Sequence, residues 1–191
     1  MLVGVDSLRY TARHGIRLAT RHDSPQDTTS HGTTSLKTLL VADSAVDEFG
    51  YVVNVDGAVY REGEYLLIER GADEEHAAGL LGLPGGKLEA PPGEAAVIEA
   101  TVRRELSEEV GVTVGRVDVV TSSTFETDTG TQCLNVVCLC AFESGEARPV
   151  ATDEVAAVHW ISATEATDSQ DVPAFTTDYL DAVETHRRRE W

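Results

Sequence analysis

The segment 94–110 carries the strongest helix pattern in the chain and constrains the fold more than any other part of it. A Pro-Pro-Gly run at 91–93 precedes the segment and Gly111 follows it, and such residues favour the beginning and the end of a helix. Apolar side chains recur every four residues and form one stripe: Ile98, Val102, Leu106 and Val110. The sequence therefore predicts a helix over 94–110 with one buried face.

Three glutamates lie in the C-terminal half of this helix. Glu105, Glu108 and Glu109 stand at positions i, i+3 and i+4, so their carboxylates gather on one face. Like charges placed in this way repel one another, and clustered oxygen ligands on a rigid element suit a hard cation such as Mg²⁺ or Mn²⁺. Arg104 lies four residues before Glu108 and can pair with it. The alternative interpretation is a solvated acidic face, which has weight in a chain this acidic.

A glycine-rich turn lies upstream of the helix, in the run Leu-Pro-Gly-Gly-Lys-Leu-Glu at 83–89. Paired glycines let the backbone turn sharply and approach a ligand closely. Together with Arg-Glu-Leu-Ser-Glu-Glu-Val-Gly-Val at 104–112, this run resembles the Nudix family, whose box reads G-x5-E-x7-R-E-U-x-E-E-x-G-U with U aliphatic. The second half of the box matches at every specified position, and the resemblance covers roughly residues 50–166.

The first half of the box departs from the family pattern. Gly86 and Arg104 are separated by 17 residues, four more than the pattern has, which is about one helical turn. Glu94 best resembles the isolated glutamate of the box, and Glu99 is a weaker substitute. We expect the extra residues to lengthen the loop through 90–92 and to alter the start of the helix, leaving the carboxylate cluster untouched.

The rest of the chain predicts a mixed α/β (α+β) domain, and the resemblance implies a mixed β-sheet sandwiched between helices. Alternating or apolar runs predict strands near 51–60, 64–69, 113–121, 132–142 and 155–161, and a last helix near 175–189. We expect three parts. Residues 1–46 form an N-terminal extension, interpreted as a helix followed by a polar linker. Residues 47–170 form the hydrolase domain, and 171–191 form a C-terminal helix that packs on it.

The resemblance implies a pyrophosphohydrolase in which water attacks a phosphorus of a nucleoside diphosphate linked to another group. Mg²⁺ or Mn²⁺ is then expected on Glu105, Glu108 and Glu109, together with the carbonyl of Gly85. Three carboxylates are candidates for the group that activates the water, and the sequence does not separate them: Glu105, Glu109 and Glu154. Arg104 is expected to hold the cluster's geometry.

Two further residues are candidates for binding the substrate. Arg70 ends the second predicted strand, where the family often places a basic residue near the phosphates, although an ordinary surface arginine fits equally well. Gly86 is the second glycine of the turn. For Glu154 the alternative is a solvated glutamate at a strand edge.

The substrate is less constrained than the chemistry. Residues 123–127 lack the proline of some ADP-ribose hydrolases and the tyrosine of some dinucleoside polyphosphate hydrolases. The short loop before the glycines resembles that of family members that act on nucleoside triphosphates, so the resemblance implies (deoxy)nucleoside triphosphates as the substrate. ADP-ribose or a nucleotide sugar is the runner-up. A non-catalytic module that senses a nucleotide is the rival from another class, although such modules commonly lose box carboxylates, and all three are present here.

The net charge of the chain is −18, from 33 acidic and 15 basic residues, and it limits the kinds of partner that the protein can bind. No basic stripe offsets this charge, which argues against binding to nucleic acid polymers. No apolar run reaches the roughly 20 residues that span a bilayer, and arginines interrupt any leader-like segment near the N-terminus. We therefore expect a cytoplasmic protein with a small nucleotide-like substrate and no membrane partner. Because many family members pair, a homodimer is an open alternative to a monomer.

An acidic surface with only two lysines predicts a salt-adapted, halophilic protein. We expect the free energy of unfolding to rise as KCl is raised from roughly 0.1 M to 2 M, because salt screens the repulsion between carboxylates. Urea unfolding at each salt concentration measures it. A free energy that stays constant or falls with KCl would contradict the prediction.

Overall fold

The computed structural model describes residues 50–72, 77–127 and 129–191. The predicted N-terminal extension, 1–46, lies outside the described residues. Within them, seven strands form one sheet: β1 (Val52–Arg61), β2 (Glu64–Arg70), β3 (Leu81–Gly82), β4 (Gly85–Lys87), β5 (Val112–Glu126), β6 (Gln132–Gly145) and β7 (Val155–Ile161). Three helices accompany them: α1 (Val97–Val110), α2 (Ala163–Asp168) and α3 (Ala174–Glu190).

Strand β1 lies at the centre of this sheet. It pairs in parallel with β6 along one side and antiparallel with β2 and β4 along the other. The sheet order is β3-β2-β1-β6-β5, with β4 added beside β1 and β7 beside β2. One parallel pair among antiparallel pairs makes the sheet mixed, as predicted.

The two faces of the sheet carry separate apolar clusters, because successive strand residues point to opposite faces. Val55 and Val59 of β1 pack on the face covered by α1, together with Val102, Leu106 and Val110. The opposite face is covered by α2 and α3, and its cluster includes Ala58, Val137, Leu139, Leu180 and Val183. The predicted arrangement, a mixed sheet between helices, is therefore confirmed.

Helix α1 begins at Val97, so the prediction of a start at residue 94 was wrong by three residues. Residues 91–94 form a turn in which the Glu94 N–H donates to the Pro91 carbonyl, and Ala96 takes a left-handed conformation with φ 54°. Helix growth toward the N-terminus stops there, because a left-handed residue breaks the helical path. The extra residues of the box are thus accommodated before the helix, and α1 ends at Val110 as predicted.

Three short elements were not predicted. Strands β3 and β4 have two and three residues, too few for any periodicity to show in the sequence. Helix α2 has six residues, and its one local signal is the capping box formed by Ser162 and Glu165. No helix among the described residues has the length and apolar character to cross a membrane.

The three cysteines, Cys133, Cys138 and Cys140, are free and buried. Cys138 and Cys140 both belong to the cluster under α1.

The contact between β1 and α1 leaves no room for a side chain at Gly57. A Cβ there would lie 2.8 Å from Val102 Cγ2 and 3.0 Å from Leu106 Cδ1. We expect Gly57→Ala to lower the free energy of unfolding by about 1–3 kcal/mol, because overpacking forces the core apart. Urea unfolding measures the change.

Gly115→Ala on β5 is the matched control, since no heavy atom lies within 4 Å of its Cβ position. This control should change stability by less than about 1 kcal/mol. Equal effects of the two substitutions would refute the packing argument.

Candidate active site

The packing of α1 fixes where its three glutamates lie. Because Val102, Leu106 and Val110 are fully buried against the sheet, the adjoining face turns toward β4. Glu105 and Glu109 are consequently buried, with 9% and 6% of their surface exposed. Glu108 lies at the rim of this face, and 60% of its side chain is exposed. The acidic face predicted from the spacing is therefore two buried carboxylates with a third at the solvent edge.

The two glycines of β4 let the strand lie directly against these carboxylates. The Gly85 N–H donates to Glu109 Oε2 at 2.9 Å. A Cβ at Gly85 would lie 2.3 Å from the Val55 carbonyl oxygen, and a Cβ at Gly86 would lie 2.5 Å from the Glu105 carboxylate. A side chain at Gly85 would therefore collide with the backbone of β1, and one at Gly86 would displace the Glu105 carboxylate.

Arg104 ties the cluster together. Its Nη1 donates to Glu108 Oε2 at 2.9 Å, the pair that the spacing predicts, and its Nη2 donates to Glu105 Oε1 at 2.6 Å. Nη2 also donates to the Lys87 carbonyl at 3.2 Å. One guanidinium thus links two box carboxylates to the end of β4.

The cluster is short of positive charge. Burial raises the pKa of Glu109 to about 8, the Gly85 N–H lowers it in part, and the charges of Glu105, Glu154 and Asp56 raise it further. Burial also raises the pKa of Glu105, against the lowering effect of Arg104. Buried carboxylates in this state favour either a proton or a cation.

The donor set suits a hard divalent cation, because it consists of carboxylate oxygens on a rigid helix beside a glycine backbone. Among residues 50–72, 77–127 and 129–191, no three acidic, histidine or cysteine side chains already form a metal cage. Glu105 and Glu108 pair with Arg104, whereas Glu109 pairs with the Gly85 N–H.

These groups line one side of a cleft of about 1160 Å³. Every site residue predicted from the sequence lines it: Arg70, Gly85, Gly86, Arg104, Glu105, Glu108, Glu109 and Glu154. Glu154 is an exposed residue whose charge acts on both buried glutamates. Glu94, the residue that best resembles the isolated glutamate of the box, is exposed on the loop before α1 and is not among the lining residues.

Comparison with known families accounts for this arrangement. The model of the NUDIX domain matches residues 50–181, which is more than half of the chain. The chain belongs to the Nudix family. It is accordingly a pyrophosphohydrolase, and α1 with the turn before it is its Nudix box.

Solved structures of Nudix proteins are similar along most of their length. A MutT Nudix hydrolase from Burkholderia pseudomallei has 30% sequence identity and a TM-score of 0.59, covering 69% of this chain and 97% of its own. A MutT protein from Methanosarcina mazei Go1 has 25% identity and a TM-score of 0.61, covering 74% of this chain and 96% of its own.

A third similar structure holds a ligand. The Nudix domain of NrtR from Shewanella oneidensis, complexed with ADP-ribose, shares the fold at 19% identity and a TM-score of 0.55, covering 77% of this chain and 97% of its own. Comparison with curated proteins gives no significant match.

Sequence analysis missed three polar residues of the Nudix cleft. Asn54 and Asp56 of β1 and Asn135 of β6 line it, and burial raises the pKa of Asp56 to about 6 while Asn135, Arg70 and Asn54 lower it in part. The signal available was polar residues inside the apolar runs Val-Val-Asn-Val-Asp and Leu-Asn-Val-Val. That signal does not show that the two strands are neighbours.

The close contact at Gly86 makes a prediction about this Nudix box. We expect Gly86→Ala to keep the fold but to lower turnover by about 10²-fold, because its Cβ displaces the Glu105 carboxylate. The measurement is hydrolysis of whichever pyrophosphate compound the wild type cleaves fastest. Gly115→Ala serves again as the control. Wild-type turnover in folded Gly86→Ala would show that the position of Glu105 is unimportant.

Proposed function

We propose that this Nudix protein hydrolyses a pyrophosphate linkage in (deoxy)nucleoside triphosphates with Mg²⁺ or Mn²⁺. The observation that carries the proposal is the convergence of all three box carboxylates, both glycines and Arg104 on one cleft. The similarity to two MutT proteins, at 30% and 25% identity, one of them described as a Nudix hydrolase, supports hydrolase activity. The net charge of −18 repels a polyphosphate, so a bound cation is needed for the two to meet.

Glu105, Glu108, Glu109 and the Gly85 carbonyl are the residues proposed to hold the metal. The bound cation supplies charge neutralisation of the pyrophosphate oxygens and of the charge that develops in the transition state. The Gly85 N–H orients Glu109, and Arg104 orients Glu105, so hydrogen bonds already fix the position of both carboxylates. This preorganisation is the protein's contribution to binding at the reacting end.

Water activation is assigned to a carboxylate of the same cleft. Glu105 and Glu109 are held by Arg104 and by the Gly85 N–H, whereas Glu154 is exposed on the loop before β7. We therefore favour Glu154 as the group that accepts a hydrogen bond from the attacking water, with Glu105 and Glu109 as the alternatives. Arg70, which lines the cleft at the end of β2, and the backbone of Gly86, which lines the same cleft, are proposed to bind the phosphates.

A substrate panel tests the proposal. The full chain is incubated in high KCl with Mg²⁺ and a nucleoside triphosphate, ADP-ribose, a nucleotide sugar or a dinucleoside polyphosphate, and released products are followed with and without EDTA. We expect EDTA-sensitive cleavage of triphosphates. Cleavage of ADP-ribose alone, or of the nucleotide sugar alone, would contradict the choice of triphosphates and support that compound as the substrate. Folded protein that cleaves nothing would support a nucleotide-sensing module.

Substitution of single carboxylates tests the metal assignment. We expect Glu108→Gln and Glu109→Gln each to lower turnover by about 10²–10³-fold, because each removes a charged oxygen from the reacting end. Glu108→Gln is the cleaner test, since an exposed ion pair contributes at most about 1 kcal/mol to folding.

Glu94→Gln makes the same chemical change on an exposed residue outside the cleft, and it should leave turnover within about twofold of wild type. Near-normal turnover in both Glu108→Gln and Glu109→Gln would contradict the metal assignment. A large loss of turnover in Glu94→Gln would indicate that Glu94 acts as the isolated glutamate of the box.

A further inference from the structure

Three polar side chains interrupt the apolar face of the sheet under α3. Along that face of β1 and β6, Ala58, Val137 and Leu139 are fully buried beneath α3. Two and four residues earlier on β1 lie Asp56 and Asn54, and two residues before Val137 lies Asn135. Strand alternation puts all three on the α3 side, where the cleft begins. We call Asn54, Asp56 and Asn135 the polar floor.

The polar floor is a closed hydrogen-bond network. Asn54 Nδ2 donates to Asp56 Oδ1 at 2.7 Å and to Asn135 Oδ1 at 3.0 Å. Asn135 Nδ2 donates to Asp56 Oδ2 at 2.8 Å. Burying a carboxylate and two amides costs free energy unless they pair, and here they pair with one another. Apolar side chains would serve the fold at least as well, so the network points to a use on the cleft side.

The Asp56 carboxylate keeps acceptor sites outside the network. Both amide hydrogens of Asn54 and one of the two on Asn135 are used within it, whereas an ionised carboxylate offers about four lone-pair sites and Asp56 uses two of them for these bonds. Adjacent carboxylate oxygens accept parallel N–H donors with good geometry. The edge that such a surface recognises carries two neighbouring donors.

An aromatic wall belongs to the same cleft. Phe175 is 42% exposed, and its ring centroid lies 6.2 Å from that of Tyr179 one helical turn along α3. Tyr179 is held by a hydrogen bond between its hydroxyl and that of Ser123 on β5. An exposed ring at the edge of a polar pocket offers a stacking surface to a flat heterocycle.

We infer that the polar floor binds the nucleobase of the substrate, with the Asp56 carboxylate accepting two adjacent N–H donors from a 2-amino-lactam edge such as that of guanine. The inference rests on the proposed function for its ligand class, and it assigns Asp56 as a specificity-determining residue outside the Nudix box. A ribose diol also offers two donors, but it presents no flat face to Phe175.

Binding of monophosphates tests the base preference apart from catalysis. Calorimetry compares GMP, with two adjacent donors, IMP, with one, and AMP, whose edge alternates donor and acceptor. We expect GMP to bind about 10- to 100-fold tighter than AMP, with IMP between them, as for hydrogen bonds to a charged acceptor. Equal affinities, or no measurable binding of GMP, would overturn the inference. A preference for GMP over dGMP as large as that over AMP would assign the donors to the ribose and overturn it equally.

Asp56→Asn tests the residue. This variant should lose about tenfold or more in affinity for GMP while AMP affinity stays within about threefold, because an amide replaces one acceptor by a donor. Asp178→Asn, the same change at an exposed carboxylate lining the same cleft, should alter neither affinity. An unchanged GMP-to-AMP ratio in folded Asp56→Asn would refute the assignment. If Asp56→Asn does not fold, the wild-type series of three bases still decides the question.

The two proposals fail separately. Triphosphates cleaved at equal kcat/KM whatever their base would overturn the inference and leave the proposed function standing. Selective GMP binding without cleavage of any triphosphate would overturn the proposed function and leave the inference standing.

Discussion

The structure depends on the burial of two carboxyl groups, those of Glu105 and Glu109, at the contact between α1 and β4. Burial of the apolar stripe of α1 offsets the free-energy cost of this placement. Val102, Leu106 and Val110 are fully buried and fix the rotation of the helix. Glycines at 85 and 86 then let the strand approach within hydrogen-bond distance of the carboxylates. Folding thus places several carboxyl groups together, Arg104 offsets part of their charge, and a cation is proposed to offset the rest. The acidic surface repels polyphosphates, so binding of such a substrate would also require a cation.

The departure from the Nudix box is absorbed where it does least to this contact. Four additional residues inside α1 would shift its register by about one turn and move the carboxylates away from β4. They lie instead in the loop before Val97, which ends in the left-handed Ala96. Glu94, which best resembles the isolated glutamate of the box, is left exposed outside the cleft. Asp56 and Glu154 line the cleft, and their charges raise the pKa of Glu109.

Local patterns were enough to predict the larger elements and the acidic face. The four-residue recurrence of Ile98, Val102, Leu106 and Val110 identifies α1 and its buried side, and the spacing of Glu105, Glu108 and Glu109 follows from it. The start of α1 was missed because a left-handed alanine has no sequence signal. The polar floor was missed for a different reason: Asn54 and Asn135 are 81 positions apart and meet only because β1 and β6 pair in parallel. Which strands are neighbours is a property of the sheet, and no local pattern contains it.

Counting bound Mn²⁺ tests the central proposal, that the buried carboxyl groups of Glu105 and Glu109 receive a cation. Electron paramagnetic resonance of the full chain in high KCl measures free Mn²⁺ while salt screens weak binding to the acidic surface. We predict saturable binding to wild type that Glu109→Gln weakens by about 10- to 100-fold and Glu94→Gln leaves unchanged. Wild type and Glu109→Gln binding Mn²⁺ with the same stoichiometry and affinity would contradict the account, since the buried carboxylates would then have a role other than holding a metal.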